Sequence, residues 1–95
     1  MAATGTTIWK FPLQTMDSQP VMMPQRAKIL TVQAQHDEPC LWAIVNPNAP
    51  REVRMIDIVG TGHPMFEDLG LERKYIGTFQ LRDGDLVFHV FERLS

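Results

Sequence analysis

Tyr75-Ile-Gly-Thr-Phe-Gln-Leu-Arg-Asp83-Gly84-Asp-Leu-Val-Phe-His-Val-Phe-Glu92 is the stretch that decides the fold class of this chain. Two runs rich in β-branched and aromatic residues flank an Asp-Gly pair, the strongest short-range hairpin signal. Folded about Asp83-Gly84, the runs match: Arg82 meets Asp85, Leu81 meets Leu86, Phe79 meets Phe88 and Ile76 meets Phe91. Cross-strand aliphatic and aromatic pairs of this kind are the unit of sheet stability. The expectation is therefore an all-β protein.

Upstream of the hairpin the pattern is the same. Thr7-Ile-Trp-Lys-Phe-Pro-Leu13 places Trp9, Phe11 and Leu13 on one face, and Pro12 makes it an edge strand. Pro20 and Pro24 confine any strand between them to about three residues through their missing donors. Lys28 to His36 alternates, with Leu30, Val32 and Ala34 on one side and Thr31, Gln33 and Gln35 on a wet side. Cys40 to Val45 is apolar on both faces, as a central strand is, and Asn46 to Pro50 stops it. Val53 to Val59 is a further strand, ending at Gly60-Thr-Gly-His-Pro64. Met65 to Arg73 reads as a loop, with one irregular helical turn around Phe66 to Leu69. The predicted architecture is a compact antiparallel sandwich or a partly open barrel of five to six strands, with the C-terminal Asp-Gly hairpin closing it.

At 95 residues the chain reads as one domain spanning 1–95, with Met1 to Thr6 frayed. The net charge is −2 and the nine basic residues are dispersed, which argues against nucleic acid as the partner. The single cysteine, Cys40, excludes an internal disulfide. No apolar run approaches the ~20 residues of a membrane span, and the N-terminus lacks a secretory pattern. Bacterial cytoplasm is the expected compartment.

Gly60-Thr61-Gly62-His63 is the first candidate binding element. Two glycines permit close approach of a ligand to the backbone, and successive amides there could form an anion nest, against the alternative of a plain tight turn. It lacks the Lys-Ser/Thr of a P-loop. His36, His63 and His89 show no metal-ligand spacing, so no metal and no cofactor are expected. His89 is expected to face Thr78 across the hairpin, and Cys40 to be a small core residue. Asp57, between Ile56 and Ile58, is expected to pair with Arg54, Arg73 or Lys74 or to face an opening, an ion pair being favoured over a catalytic acid. The aromatics are assigned to the core, with Trp9 the one most open to a partner. Gln33 and Gln35, on the wet side of their strand, complete the candidate set. Six methionines, two of them at Met22-Met23, mark an adaptable, exposed edge.

The segments Ile8 to Leu13, Ala27 to Gln33, Pro39 to Ala43, Gly60 to His63, Tyr75 to Gln80 and Leu86 to Glu92 together resemble a family of small phage and prophage proteins of unknown function. The resemblance runs from about Thr7 to Glu92 and carries no catalytic residue. It implies a virus-encoded accessory protein in the cytoplasm of an infected bacterium. With no catalytic constellation in the chain, the expected function is a non-enzymatic binding protein that inhibits a host factor, a component of antiviral defence foremost. One alternative is a homo-oligomer that sequesters a small nucleotide signal. The other is a small hydrolase-like enzyme using His63. Self-association as a dimer through an edge strand is expected in addition.

Overall fold

A computed structural model describes residues 5–65 and 72–94. The chain is all-β, with seven strands among the described residues: β1 (Thr7–Pro12), β2 (Ser18–Pro24), β3 (Lys28–Gln35), β4 (Glu38–Val45), β5 (Arg51–Gly60), β6 (Arg73–Leu81) and β7 (Leu86–Arg93). They form two antiparallel sheets, ordered β1-β4-β3 and β2-β5-β7-β6, and neither closes into a barrel. The strand count thus exceeds the five to six expected. The expected fraying of Met1 to Thr6 falls largely, and the helical turn at Phe66 to Leu69 wholly, outside the described residues.

The core lies between the sheets. Leu41, Ala43 and Val45 of β4 and Val32 of β3 meet Met23, Ile56, Ile58, Phe79, Leu81 and Val90 of the larger sheet. Trp9, Phe11 and Phe88 are half-buried against the same cluster. Burying aliphatic side chains of this size stabilises by roughly 1.5–3 kcal/mol each.

β2 runs through both of its prolines, contrary to the three-residue limit. Ile58 N–H donates to Asp17 O at 3.0 Å, so the odd positions of β2 bond to β5 and the even positions turn to the open edge. Pro20 and Pro24 are both even, and neither removes a ladder bond. The same logic holds for β1. Leu13 N–H donates to Pro39 O at 2.9 Å, which leaves Pro12 facing away from β4 on an edge strand.

Two bulges shift the expected registers. In β3, Ile29 pairs with Ala43 and Thr31 with Trp42, so Leu30 is the extra residue and is 42% exposed instead of sharing a face with Val32. In β6, Tyr75 pairs with Phe91 and Gly77 with Val90, so Ile76 is extra. Tyr75 replaces Ile76 as the partner of Phe91, with ring centroids 5.6 Å apart edge to face.

Leu81 stands opposite Leu86 and Phe79 opposite Phe88. The two-residue Asp-Gly hairpin is not what joins them. Arg82 to Asp85 forms a longer connection containing a 3-10 turn, with Asp85 N–H donating to Arg82 O at 3.1 Å. Arg82, Asp83 and Gly84 have φ of 52°, 55° and 93°. Three successive left-handed residues cannot prolong a strand, so Arg82 and Asp85 are not a strand pair.

Candidate functional site

The three-stranded sheet has one face in the core and one face that no other described element covers. By register, the uncovered face holds Ile8, Ile44 and Lys28 in one row, Lys10, Trp42 and Thr31 in the next, and Pro12, Cys40 and Gln33 in the third. Gln35 and Glu38 follow. Solvated sheet faces are ordinarily polar. Here the central strand presents a half-buried tryptophan, ringed by two lysines, a threonine and two glutamines. Lys10 Nζ donates to Gln35 Oε1 at 2.7 Å, and the line between those two strands crosses over Cys40. Cys40 is 3% exposed although it shares the outward parity of Trp42.

Gln33 and Gln35 thus lie where the alternation placed them. Trp9 does not: it turns inward from β1, half-buried near Phe11, with the Arg51 guanidinium 5.4 Å from its ring centroid. The outward tryptophan is Trp42, which sequence reasoning assigned to the core. The signal for it was present. Leu41, Ala43 and Val45 form one inward set, and the residues between them must face out.

Gly60-Thr61-Gly62-His63 is a β-turn, well separated from that face in sequence and sheet. His63 N–H donates to Gly60 O at 3.0 Å, and Gly62 has φ of 84°, which only glycine takes up without strain. Thr61 pins the turn to β7: both its N–H and its hydroxyl donate to Val87 O, at 3.0 and 3.2 Å. With the Thr61 and His63 amides committed to carbonyls, the turn offers little of the expected anion nest. Thr61 Oγ1 also lies 2.7 Å from His89 Nε2, and Thr78 Oγ1 lies 2.9 Å from His89 Nδ1. The two threonine hydroxyls thus bracket the His89 ring, one at each nitrogen. His89 faces Thr78 as the pattern required.

His63 lines a cleft of about 360 Å³ on the outer face of β5, together with Ser18, Asp57, Arg73 and Arg93. Asp57 is 4% exposed. Its carboxylate accepts from Ser18 Oγ at 2.6 Å, from Arg73 Nε at 2.8 Å and from Arg93 Nε at 2.9 Å. Burial pushes the Asp57 carboxyl up, but donation from Arg93, Arg73 and Ser18 outweighs it and holds the group below the usual carboxylate value. Of the expected partners Arg73 is correct. Arg54 instead lies on the inner face, where Nε and Nη2 both donate to Glu92 and Nη1 donates to Ala27 O at 3.0 Å. That bond to Glu92, opposed by burial, raises the Arg54 guanidinium further above its ordinary value.

Among the described residues no group of three or more His, Cys, Asp or Glu side chains could hold a metal ion. Among the same residues no helix is long and apolar enough to cross a membrane. No curated protein and no solved structure matches the chain. A family model described as a domain of unknown function (DUF7352) matches residues 4–95, nearly the whole sequence. That description names neither an activity nor a phage. The chain belongs to the DUF7352 family of uncharacterised domains.

Proposed function

We propose that this protein is a non-enzymatic binding module that docks a partner protein on the uncovered face of the three-stranded sheet. The observation that carries the reading is Trp42: the middle strand of that sheet turns a tryptophan outward, between Lys10 and Thr31. Protein interfaces concentrate their energy in a few aromatic anchors inside a polar rim. Ile8 and Ile44 extend the apolar centre, and Lys28, Gln33 and Gln35 make the rim. The likeness to small phage proteins favours a bacterial host factor as the partner, a component of antiviral defence that the protein inhibits in the cytoplasm.

The test compares the wild type with Trp42→Ala as baits in host lysate. The indole lies outside the core, so the variant keeps its fold by circular dichroism. It should bind the captured defence component at least about thirtyfold more weakly, as expected for an anchor worth ~2 kcal/mol. Equal capture by both baits, or no defence component on the wild type, overturns the reading.

The proposal includes a homodimer through β1. Among the described residues nothing pairs with the outer edge of β1, and Ile8 there is 55% exposed.

A further inference from the structure

The two bulges face each other. β3 and β6 come from different sheets yet meet along a seam, where a Cβ built on Gly77 would stand 3.0 Å from Val32 Cγ1 and 3.8 Å from the Val32 backbone nitrogen. Extra residues at Leu30 and Ile76 let the two strands bend toward each other. Just beyond this contact the seam opens into a cleft of about 340 Å³. Its lining includes Leu30, Tyr75 and Ile76 from the bulges, Lys28 and Lys74 from the two strands, and the Arg54–Glu92 pair.

Charge and shape together specify a ligand. Arg54 and Glu92 neutralise each other through a two-pronged contact. Lys28 and Lys74 are exposed, and among the described residues neither ammonium bonds a carboxylate. Lys28 and Lys74 therefore bring one positive charge from each strand, against the Glu52 carboxylate 3.8 Å from Arg54 Nη1. A phosphomonoester has about −1.5 to −2 charges near neutral pH, a match for two lysine point charges that a single carboxylate lacks. Beside them, Tyr75 is 55% exposed and held edge-on by Phe91, with Leu30 and Ile76 adjacent. A flat aromatic body stacks on such a surface. The volume is at the small end of the range for ligand sites.

We propose that this seam cleft binds a phosphomonoester carried on a small aromatic body, a nucleoside monophosphate in class, with Lys28 and Lys74 on the phosphate and Tyr75, Leu30 and Ile76 against the ring. The cleft adjoins the Trp42 face and shares Lys28 with its rim, but Trp42 itself is not among its lining residues.

Adenosine 5′-monophosphate is the probe, with inorganic phosphate and adenosine alone as companion titrations, followed by amide chemical shifts. The monophosphate should shift the amides of Leu30, Tyr75 and Ile76 and bind at least about tenfold tighter than phosphate or adenosine. Lys28→Gln with Lys74→Gln should weaken it by at least about tenfold, with an unchanged melting temperature because both side chains are exposed. Trp42→Ala should bind the monophosphate like the wild type. The proposal is overturned if millimolar monophosphate moves none of these amides. It is equally overturned if phosphate alone binds as well, or if the double lysine variant binds undiminished.

Discussion

Asp57 occupies an odd place for a buried carboxylate. It lies on the outer face of β5, opposite Ser18 on one side and Phe91 on the other. Two arginines from the neighbouring region close over it: Arg73 opens β6 and Arg93 ends β7, opposite one another in the ladder. Both guanidinium groups donate to the same carboxylate oxygen, and this side chain outside the core is 4% exposed. Replacing Asp57 with Asn keeps the shape but leaves two guanidinium groups facing a neutral amide. Removing one member of a buried ion pair costs about 3 kcal/mol, and urea unfolding at pH 7 should show a loss of that order. The pH dependence follows from the lowered carboxyl pKa. A folded-state value below the unfolded one contributes stability that is complete above about pH 5 and is lost as pH falls through about 4 toward the folded value. Wild-type stability should therefore drop on that acid limb, and Asp57→Asn should drop less steeply. Equal slopes would show that Asp57 is not the group that titrates. The sequence held half of this arrangement. An aspartate between two isoleucines called for a cation, and Arg73 was among those expected. Arg93, 36 positions away, could not be chosen without knowing that β7 lies beside β5.

β3 and β6 show how elements of opposite sheets determine each other's shape. Gly77 has no side chain because Val32 fills the space one would take. Gly77→Ala must push Val32 Cγ1 aside, and overpacking of this kind costs about 1–3 kcal/mol. Val32→Ala alone opens a cavity in the core and costs roughly 2 kcal/mol. The double variant removes the clash and fills part of the cavity, so its destabilisation should fall short of the sum by about 1 kcal/mol. Additive values in denaturant melts would mean the seam yields elsewhere. Strand identity was readable from alternation in β1 and β3, where one face is wet and the period of two is plain, and in β7 from its run of β-branched and aromatic residues. Register was not readable where bulges intervene. Leu30 and Ile76 are apolar and fit a core face by count, and only contact between the two sheets makes them surplus. β2 was underestimated for a related reason. A proline breaks a strand only where its nitrogen would have donated, and that parity depends on which side the neighbour lies. Trp42 departs from the core reading because apolar residues on both faces of a central strand signify burial on both sides, whereas here no described element forms a layer over one face.

At the scale of the whole molecule the decisive feature is what happens at the sheet edges. An open edge is a row of unpaired donors and acceptors, and folded proteins block such rows or use them. β3 and β6 are edges that shelter each other along the seam. β2 is blocked, because two of its outward positions, Pro20 and Pro24, have no N–H to offer. β1 is the one left open among the described residues, with the N–H groups of Ile8 and Lys10 turned outward by the parity that Pro12 shares. Antiparallel pairing of two copies about Trp9 would set Ile8 of one against Lys10 of the other. No like charges would then stand opposite each other, and the two Trp9 residues would form a close, non-bonded pair of the kind that stabilises sheets. This pairing would merge two three-stranded sheets into one and place both Trp42 faces on the same side, doubling the proposed docking surface. Lys10→Pro tests it with little injury to the fold, since position 10 makes no ladder bond to β4. Sedimentation should give a dimer for the wild type at micromolar concentration and a monomer for Lys10→Pro, with the circular dichroism spectrum unchanged. A wild type that sediments as a monomer, or a proline variant that still dimerises, would show that β1 is not the interface, and the Trp42 face would then act singly.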